Sequence, residues 1–163
     1  MSTSPTINFR ELVKRPVCFL GLGFGSGLAP IAPGTFGTIA AIPVYWLMIG
    51  LPLVSYLLVT LVAFIAGIWI CQRSADWLGK DDPSAVVWDE IVGYLVTMIA
   101  APVGWQWMLI GFVLFRFFDI IKPWPIRWFD KNLHGGTGIM VDDVVAGFFA
   151  LACLQLLYIS TAL

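Results

Sequence analysis

The sequence from Val17 to Gln72 reads VCFLGLGFGSGLAPIAPGTFGTIAAIPVYWLMIGLPLVSYLLVTLVAFIAGIWICQ and contains no Asp, Glu, Lys, Arg or His. A helix needs about 20 apolar residues to cross the hydrocarbon core of a bilayer. This stretch is long enough for two such helices, which we place near Thr35–Ile49 and Leu53–Ile70, with Gly50-Leu51-Pro52 as the turn. It therefore predicts an integral-membrane protein.

Charge elsewhere is confined to three blocks, Arg10–Arg15, Arg73–Glu90 and Arg116–Asp143, which are separated by apolar stretches. The chain is 60% hydrophobic and only 12% charged, whereas an average soluble domain is about 25% charged. A tightly packed soluble helical protein is the alternative. Because strand alternation and hairpin turns are absent, we predict one all-α integral-membrane domain, residues 1–163, with about three to five hydrophobic helices.

The apolar stretch Ile91–Phe115 is interrupted by Ala101-Pro102-Val103-Gly104, so it is either a helical hairpin or one kinked span. The last apolar stretch predicts a span from Val144 to Tyr158 and beyond. A hairpin places all three charged blocks on one side of the membrane. Basic residues near membrane segments favour the cytoplasm. We therefore predict a cytoplasmic N-terminus and a single polar site that faces the cytoplasm, an arrangement that favours the hairpin, although the sequence does not decide between the hairpin and the kinked span.

The remaining composition excludes several classes of partner and chemistry. The net charge is −1 and there is no basic stripe, so we predict no nucleic-acid partner. Cys18, Cys71 and Cys153 are scattered in apolar sequence and are interpreted as buried, reduced thiols. Tryptophans near the hairpin tip and in the third charged block fit interfacial anchors; they are Trp105, Trp107, Trp124 and Trp128.

The motif Gly21–Thr35, GLGFGSGLAPIAPGT, has four glycines at alternate positions. Successive backbone N–H groups in such a segment can cradle an anion, and a helix that begins near Gly34 would also favour phosphate. The alternative is a glycine-rich segment that packs closely in a membrane. The residues that we expect to contact a substrate phosphate here are Gly25, Ser26, Gly34 and Thr35.

The motif Trp88–Gly93, WDEIVG, places two adjacent carboxylates before an apolar run. Asp82-Pro83 predicts a helix start, because proline suits the first helical position. Asp89 and Glu90 would then lie about two turns inside that helix. Buried unpaired carboxylates are costly near a membrane, so we predict that both bind a cation. The alternative is a solvated helix face.

In the segment FRFFDIIKPWP, Arg116, Asp119 and Lys122 are spaced by three and share one face of a helix that Pro123 should end. Asp119 would then lie in the last turn, where the helix dipole disfavours an anion. We expect the two cations to hold a phosphate while Asp119, between them, binds metal. The alternative is an ordinary ion-pair face.

The segment Asp130–Asp143, DKNLHGGTGIMVDD, is predicted to close one helix at Gly135-Gly136 and to begin the final helix near Met140. Asp142 and Asp143 would then lie in the first turn, where the helix dipole stabilises carboxylates anyway. Against that simple explanation, the rest of this helix is devoid of charge.

His134, the only histidine, is a candidate proton donor to a leaving alkoxide; the alternative is a cation at a helix end. The sequence DEIVG at Asp89–Gly93 also faintly echoes DDVVAG at Asp142–Gly147. Two related half-sites would explain that echo, but chance similarity is the favoured interpretation.

In their combination and order, the motifs GFGSGLAPIAPGTFGT, VVWDEIVG, FRFFDIIKPWPIRWFD and HGGTGIMVDDVVAG resemble the phosphatidylglycerophosphatase A family along nearly the whole chain. The resemblance implies a helical phosphatase of the bacterial inner membrane that requires Mg²⁺. Such an enzyme hydrolyses the phosphomonoester of phosphatidylglycerophosphate to phosphatidylglycerol and inorganic phosphate, in glycerophospholipid biosynthesis. The expected partners are that lipid and the bilayer.

Matching the family's motifs implies the metal ligands Asp89, Glu90, Asp119, Asp142 and Asp143. From the residues themselves, we predict the catalytic residues Asp89, Glu90, Asp119 and His134. The predicted substrate contacts, besides the glycine-rich motif, are Arg116, Lys122 and Arg127.

The residues themselves agree with this chemistry by exclusion. The chain has no Cys-x5-Arg loop, no Asp-x-Asp signature and only one histidine, which leaves metal-assisted attack by water. Glu90 or Asp119 could act as the base, and the sequence does not choose between them. The rival interpretations are a membrane phosphoalcohol transferase, whose Asp-Gly-x2-Ala-Arg signature is absent, and a small transporter or channel subunit with intramembrane acids.

Overall fold

The computed structural model describes residues 9–162, where the chain forms α-helices and one 3-10 segment, Gly23–Leu28, with no strand. The prediction of an all-helical fold is confirmed. The helices are α1 (Phe9–Val13), α2 (Pro16–Gly21), α3 (Pro33–Met48), α4 (Leu53–Leu78), α5 (Trp88–Thr97), α6 (Trp105–Ile121), α7 (Ile126–Asn132) and α8 (Gly135–Ala162).

The three predicted spans correspond to α3, α4 and α8, but they differ in length. α3 has 16 residues, which at 1.5 Å per residue is about 24 Å and shorter than the roughly 30 Å hydrocarbon core. α4 has 26 residues and α8 has 28. In the described range, these two helices have the length and hydropathy of membrane spans.

The chain reverses direction between α5 and α6, at residues 98–104. The reversal returns the end of α6 to the start of α5, so that Arg116 Nη1 lies 3.9 Å from Glu90 Oε1. The hairpin is therefore the correct interpretation of this stretch. α5 has only 10 residues, about 15 Å, so it is too short to cross a bilayer.

The start of α5 differs from the predicted one. The helix begins at Trp88 and not at Pro83, because the residues before it are held by tertiary contacts. The amide of Val87 donates to the carbonyl of Gly21 at 2.9 Å. A Cβ on Gly37 would lie 2.5 Å from Val87 Cβ. The glycines thus let α2 and α3 pack directly on the segment that leads into α5.

The start of α8 also differs from the predicted one. The helix begins at Gly135 rather than near Met140, so Gly135-Gly136 opens a helix and does not close one. The side chain of Gln72 on α4 explains the earlier start, because its Oε1 accepts a hydrogen bond from the amide of Gly136 at 2.7 Å. It satisfies one of the amides that a helix start leaves unpaired.

α8 is the central helix of the bundle and packs against α4, α5, α6 and α7. Two glycines face each other where α5 and α8 cross. A Cβ on Gly147 would lie 2.5 Å from the carbonyl oxygen of Gly93, and a Cβ on Gly93 would lie 2.8 Å from that of Asp143. The two echoing segments, DEIVG and DDVVAG, therefore pack on one another.

The two ends of the bundle differ in polarity. At one end, the turn after α3 and the α5–α6 reversal border a shared cavity through Leu51, Met98 and Val103. Gln155 of α8 donates there to the carbonyls of Ile99 and Ala100, at 3.1 and 3.0 Å. The charged residues of the second and third blocks lie toward the opposite end.

The sides of the bundle expose large apolar side chains. Leu47, Val54, Val62 and Leu156 are 79%, 69%, 64% and 68% exposed. A soluble protein rarely leaves so much contiguous apolar surface uncovered, and an extended patch marks an interaction or membrane surface. Together with the lengths of α4 and α8, this surface indicates membrane association.

Candidate active site

Three carboxylates from two helices meet at the charged end of the bundle. One oxygen each from Asp89, Glu90 and Asp143 lies within 4.8 Å of the other two. We call these three residues the acid triad. The Gly93–Gly147 crossing brings α5 and α8 close enough for the triad to form. Carboxylate oxygens are the ligands that hard divalent cations prefer, so the triad can hold a metal ion.

The positions of these acids along their helices reverse the expectation from the sequence. Asp89 and Glu90 lie in the first turn of α5, where the partial positive charge of the helix N-terminus stabilises them. Asp142 and Asp143 lie about two turns inside α8. The predicted helical positions were therefore wrong for both pairs. Of the triad, Asp143 is the carboxylate whose negative charge no helix N-terminus stabilises.

The triad is buried and leaves oxygens unpaired. Asp89 Oδ1, Glu90 Oε2 and Asp143 Oδ2 are buried without a hydrogen-bond partner among the described residues. Burial, reinforced by the charge of Glu90, raises the pKa of Asp89 well above its ordinary value. Burial, reinforced by Asp143, raises the pKa of Glu90 to about 8. A bound divalent cation would offset the cost of these buried acids, so the residues present fit such an ion.

Arg116 and Asp119, near the end of α6, flank the acid triad. Arg116 Nη1 donates to Asp119 Oδ2 and lies 3.9 Å from Glu90 Oε1. The carboxyl group of Asp119 lies against that of Asp143. The Arg116 Nε–H is buried and has no partner in the part of the chain that the structure describes. This donor is available to an anion that binds beside the triad.

Lys122 and Asp142 belong to a second polar group beside the triad. Lys122 ends α6 in a left-handed conformation, with φ 46°, which is uncommon for residues other than glycine. Its Nζ donates to Asp130 Oδ1 at 2.5 Å and to Asp142 Oδ2 at 2.6 Å. Of the two cations that flank Asp119 in sequence, Arg116 forms its ion pair, whereas Lys122 pairs with Asp130 and Asp142. Asp142 keeps its Oδ1 buried and unpaired.

His134 lies apart from the acid triad. It is exposed, and it lines a cavity of about 60 Å³ at the start of α8. The structure thus places the candidate proton donor near the Lys122 ion pairs. The residues that line this cavity are Asp81, Asp82, Asp130, Leu133, His134, Gly135, Gly138, Ile139 and Asp142.

Asp130 and Gln72 are site residues that the sequence did not assign. Asp130 fixes the ammonium group of Lys122, and Gln72 sets where α8 begins. The sequence could have pointed to Asp130, because it lies on α7, the short helix that follows the end of α6 and Pro123. Nothing local pointed to Gln72, because its partner is Gly136, far along the chain.

The amides of the glycine-rich motif are largely used within the motif. The amide of Gly25 donates to the carbonyl of Leu22 at 3.0 Å, and that of Thr35 donates to Ala32 at 2.9 Å. The expectation of an exposed row of N–H donors is therefore wrong for these two residues. The close-packing alternative describes this segment better, and a Cβ on Gly27 would lie 2.0 Å from the carbonyl oxygen of Ala85.

Gly34 is the residue of this motif that borders the acid triad. A Cβ at this position would lie 2.2 Å from Glu90 Oε1 and 3.1 Å from Arg116 Nη1. The start of α3 thus forms one wall of the site. Ser26 has a buried hydroxyl without a hydrogen-bond partner among residues 9–162, and Arg127 is exposed on α7. These two predicted contacts are not brought into the triad.

The chain matches the family model described as Phosphatidylglycerophosphatase A over residues 19–158. It is 48% identical to Phosphatidylglycerophosphatase A of Escherichia coli (strain K12) over 146 residues, 89% of this chain and 85% of that protein. It is 44% identical to the Haemophilus influenzae protein of the same name, over 83% of this chain and 85% of the relative.

A third relative carries a different name. The chain is 42% identical to a Bacteroides thetaiotaomicron protein with the provisional name phosphatidylinositol-3-phosphatase, over 85% of this chain and 92% of the relative. No solved structure gives a significant match.

Proposed function

The chain belongs to the phosphatidylglycerophosphatase A family, and we propose that it hydrolyses the phosphomonoester of phosphatidylglycerophosphate to phosphatidylglycerol and inorganic phosphate. The enzyme is thus a phosphoric monoester hydrolase that acts on a phospholipid. The observation that supports this assignment most is the acid triad, whose unpaired carboxylate oxygens lie beside the unpaired Nε–H of Arg116.

We assign the triad to Mg²⁺, with Asp89, Glu90 and Asp143 as ligands and Asp119 and Asp142 close by. Mg²⁺ favours carboxylates, water and phosphate oxygens. When bound, it would neutralise phosphate charge and lower the pKa of a coordinated water. The buried, unpaired oxygens of the triad support this assignment, because without a cation their repulsion is uncompensated.

The substrate phosphate is proposed to bind between the triad and Arg116. The guanidinium group is held in place by Asp119, and its buried Nε–H offers a directed donor to a phosphate oxygen. Gly34 supports this position, because the missing side chain leaves room next to Glu90 and Arg116. Lys122 contributes positive charge and holds Asp142 through a 2.6 Å hydrogen bond.

Two residues are proposed to move protons. Asp119 lies beside Asp143 but outside the triad, so it is placed to accept a proton from the attacking water. His134 lines the cavity that Asp130 and Asp142 also line, outside the triad. It is the candidate donor to the leaving lipid alkoxide, a role that requires the alkoxide to lie on this side of the bound phosphate. Arg116 would then stabilise the charge that develops on the phosphate.

The enzyme is proposed to be a multi-pass protein of the bacterial inner membrane with its site at the cytoplasmic face. Trp124 and Trp128 are 82% and 53% exposed near the charged end, and tryptophan favours the headgroup level of a bilayer. A lipid whose phosphate lies at that level would reach the acid triad without leaving the membrane.

A phosphate-release assay on the purified chain tests the proposal. Phosphatidylglycerophosphate should yield inorganic phosphate with Mg²⁺ and without an added alcohol acceptor, and a chelator should abolish the release. Asp143→Asn should lower the rate by more than about 100-fold, whereas Glu11→Gln, an exposed acid on α1, should not. Release only from phosphatidylinositol 3-phosphate would replace the proposed substrate, and chelator-resistant release would contradict the metal assignment.

A further inference from the structure

A groove of about 530 Å³ lies between α2 and the end of α4, and its lining shares no residue with the site described above. The groove combines two guanidinium groups with two indole rings. Its lining residues are Arg15, Pro16, Val17, Cys18, Trp69, Arg73, Asp76 and Trp77. We propose that this groove binds the headgroup of an anionic phospholipid that is not the substrate.

The two arginines of the groove are available to a phosphate. Arg15 lies over the ring of Trp77 at 5.3 Å, a cation–π contact that orients the guanidinium group without neutralising it. Neither Arg15 nor Arg73 takes part in an ion pair within residues 9–162. The acid of the groove, Asp76, accepts a hydrogen bond from Gln72 at 2.8 Å. With Asp76 counted, the groove lining keeps a net charge of +1, and two guanidinium groups without an ion-pair partner among the described residues suit a phosphodiester oxygen pair.

The surface beside the groove favours a lipid over a free anion. Val62, Ile65, Trp69 and Arg73 are spaced by three and four along α4, so they follow one face of the helix. The three apolar members are 64%, 59% and 54% exposed. An acyl chain can lie along this strip while its phosphate reaches Arg73. Trp69 lies between them, at the level where tryptophan meets headgroups.

The occupant of the groove is distinct from the substrate, because the catalytic acids are on the other side of α4. Cys71 is two residues from both Trp69 and Arg73. It is buried, and its Sγ lies 3.6 Å from the Sδ of Met140 on α8. The groove residues face away from that contact. The bound lipid would fix the depth of α4 in the bilayer. This inference requires the proposed membrane insertion but not the proposed hydrolysis.

Native mass spectrometry of the purified full chain in detergent, titrated with phosphatidylserine, measures this binding. Phosphatidylserine carries a phosphodiester and is neither substrate nor product of the proposed reaction. Phosphatidylcholine with the same acyl chains and inorganic phosphate form the comparison arms. We expect phosphatidylserine to bind most tightly. Arg73→Gln and Arg15→Gln should each weaken it about fivefold, the effect of one basic residue near an anionic headgroup.

Lys80→Gln is the matched control, because it removes a basic residue outside the groove and should leave phosphatidylserine binding unchanged. Unchanged binding in both arginine variants, equal binding of phosphatidylcholine, or equally tight binding of inorganic phosphate would each overturn the inference. Phosphate release by the same variants in detergent without phosphatidylserine should match the wild type, which shows that they are folded. A wild type that binds phosphatidylserine but releases no phosphate would disprove the proposed function alone.

Discussion

Asp89, Glu90 and Asp143 are the residues on which the proposed chemistry depends, and their surroundings are unfavourable for charge. They are largely buried, they repel one another, and each has an oxygen without a partner in the described chain. Such an arrangement is unstable unless the acids hold protons or a cation. Proton binding and metal binding at this site therefore compete.

The first prediction concerns the pH dependence of stability. The pKa of Glu90 is raised to about 8 by burial and by Asp143, so the metal-free folded state keeps a proton that the unfolded state releases from about pH 4.3 upward. The stability of chelator-treated protein should therefore fall as the pH rises toward 8. Added Mg²⁺ should restore more stability at pH 8 than at pH 5, because its ligands must be deprotonated.

Thermal unfolding in detergent, followed at several pH values with and without Mg²⁺, measures this effect. Glu90→Gln should make the pH dependence of the metal-free protein less steep without abolishing it, because burial also raises the pKa of Asp89. An equally steep fall in that variant would show that Glu90 does not contribute, and an Mg²⁺ effect that does not change with pH would contradict competition between protons and metal at the triad.

The second prediction concerns Gly34. An alanine there would place its Cβ 2.2 Å from Glu90 Oε1, so the carboxylate must move while the fold adapts. We expect Gly34→Ala to lower kcat/KM by more than about tenfold, because small displacements of a positioned group are costly in catalysis. Its melting temperature should stay close to the wild type. A fully active Gly34→Ala enzyme would remove the start of α3 from the site.

At the level of secondary structure, the site depends on how closely α5 and α8 approach. Gly93 and Gly147 allow backbone-to-backbone contact at the crossing, as small residues do between membrane helices. The α5–α6 hairpin then adds Arg116 and Asp119 from a third helix. The acids of the triad thus meet because of residues that carry no charge.

The third prediction tests this crossing. Gly147→Ala would place a Cβ 2.5 Å from the carbonyl of Gly93, where the neighbouring atom is backbone and yields little. We expect a loss of about 1–3 kcal/mol in stability together with a loss of activity. Gly50→Ala is the control, since a Cβ there meets nothing within 4 Å. Equal stability and activity of the two variants would contradict the role given to the crossing.

At the level of the whole molecule, the bundle has a charged end and an apolar end. The turn after α3 and the α5–α6 reversal lie together at the apolar end, and the acid triad lies at the other. Residues 120–135 accordingly lie at the same end of the bundle as the acid triad. This arrangement is what a single interfacial site on a lipid substrate requires.

The fourth prediction follows from this polarity. In a Cys153→Ser background, which leaves the buried Cys18 and Cys71, Trp124→Cys should react with an impermeant maleimide in inverted membrane vesicles but not in intact cells. Gly50→Cys, at the exposed turn after α3, should show the opposite pattern. Labelling of Trp124→Cys from outside intact cells would contradict a cytoplasmic site.

The sequence predicted the apolar parts of α4 and α8, Leu53–Ile70 and Val144–Tyr158, because an uninterrupted apolar run determines a helix there. It misplaced the starts of α5 and α8, because those depend on distant partners. Val87 is tied to Gly21, and Gly136 is capped by Gln72. No local pattern reports such contacts.

The candidate site could be predicted as a set of acids but not as a geometry. The acids fall into two groups, one around Lys122 and one at the triad. Lys122 has a left-handed backbone conformation, and its side chain binds Asp130 and Asp142. That leaves Asp143, with Asp89 and Glu90, to form the triad. The spacing of residues along α6 could not show that the chain bends at Lys122. It therefore could not show that Lys122 pairs with Asp130 and Asp142.

The position of Mn²⁺, substituted for Mg²⁺ in crystals of the purified chain and located by anomalous scattering, tests the metal assignment without reference to activity. A peak should lie within coordination distance of Asp89, Glu90 and Asp143 and should disappear in Asp143→Asn. An ion held instead by the separate acids around His134, or no ion at the triad, would contradict the account.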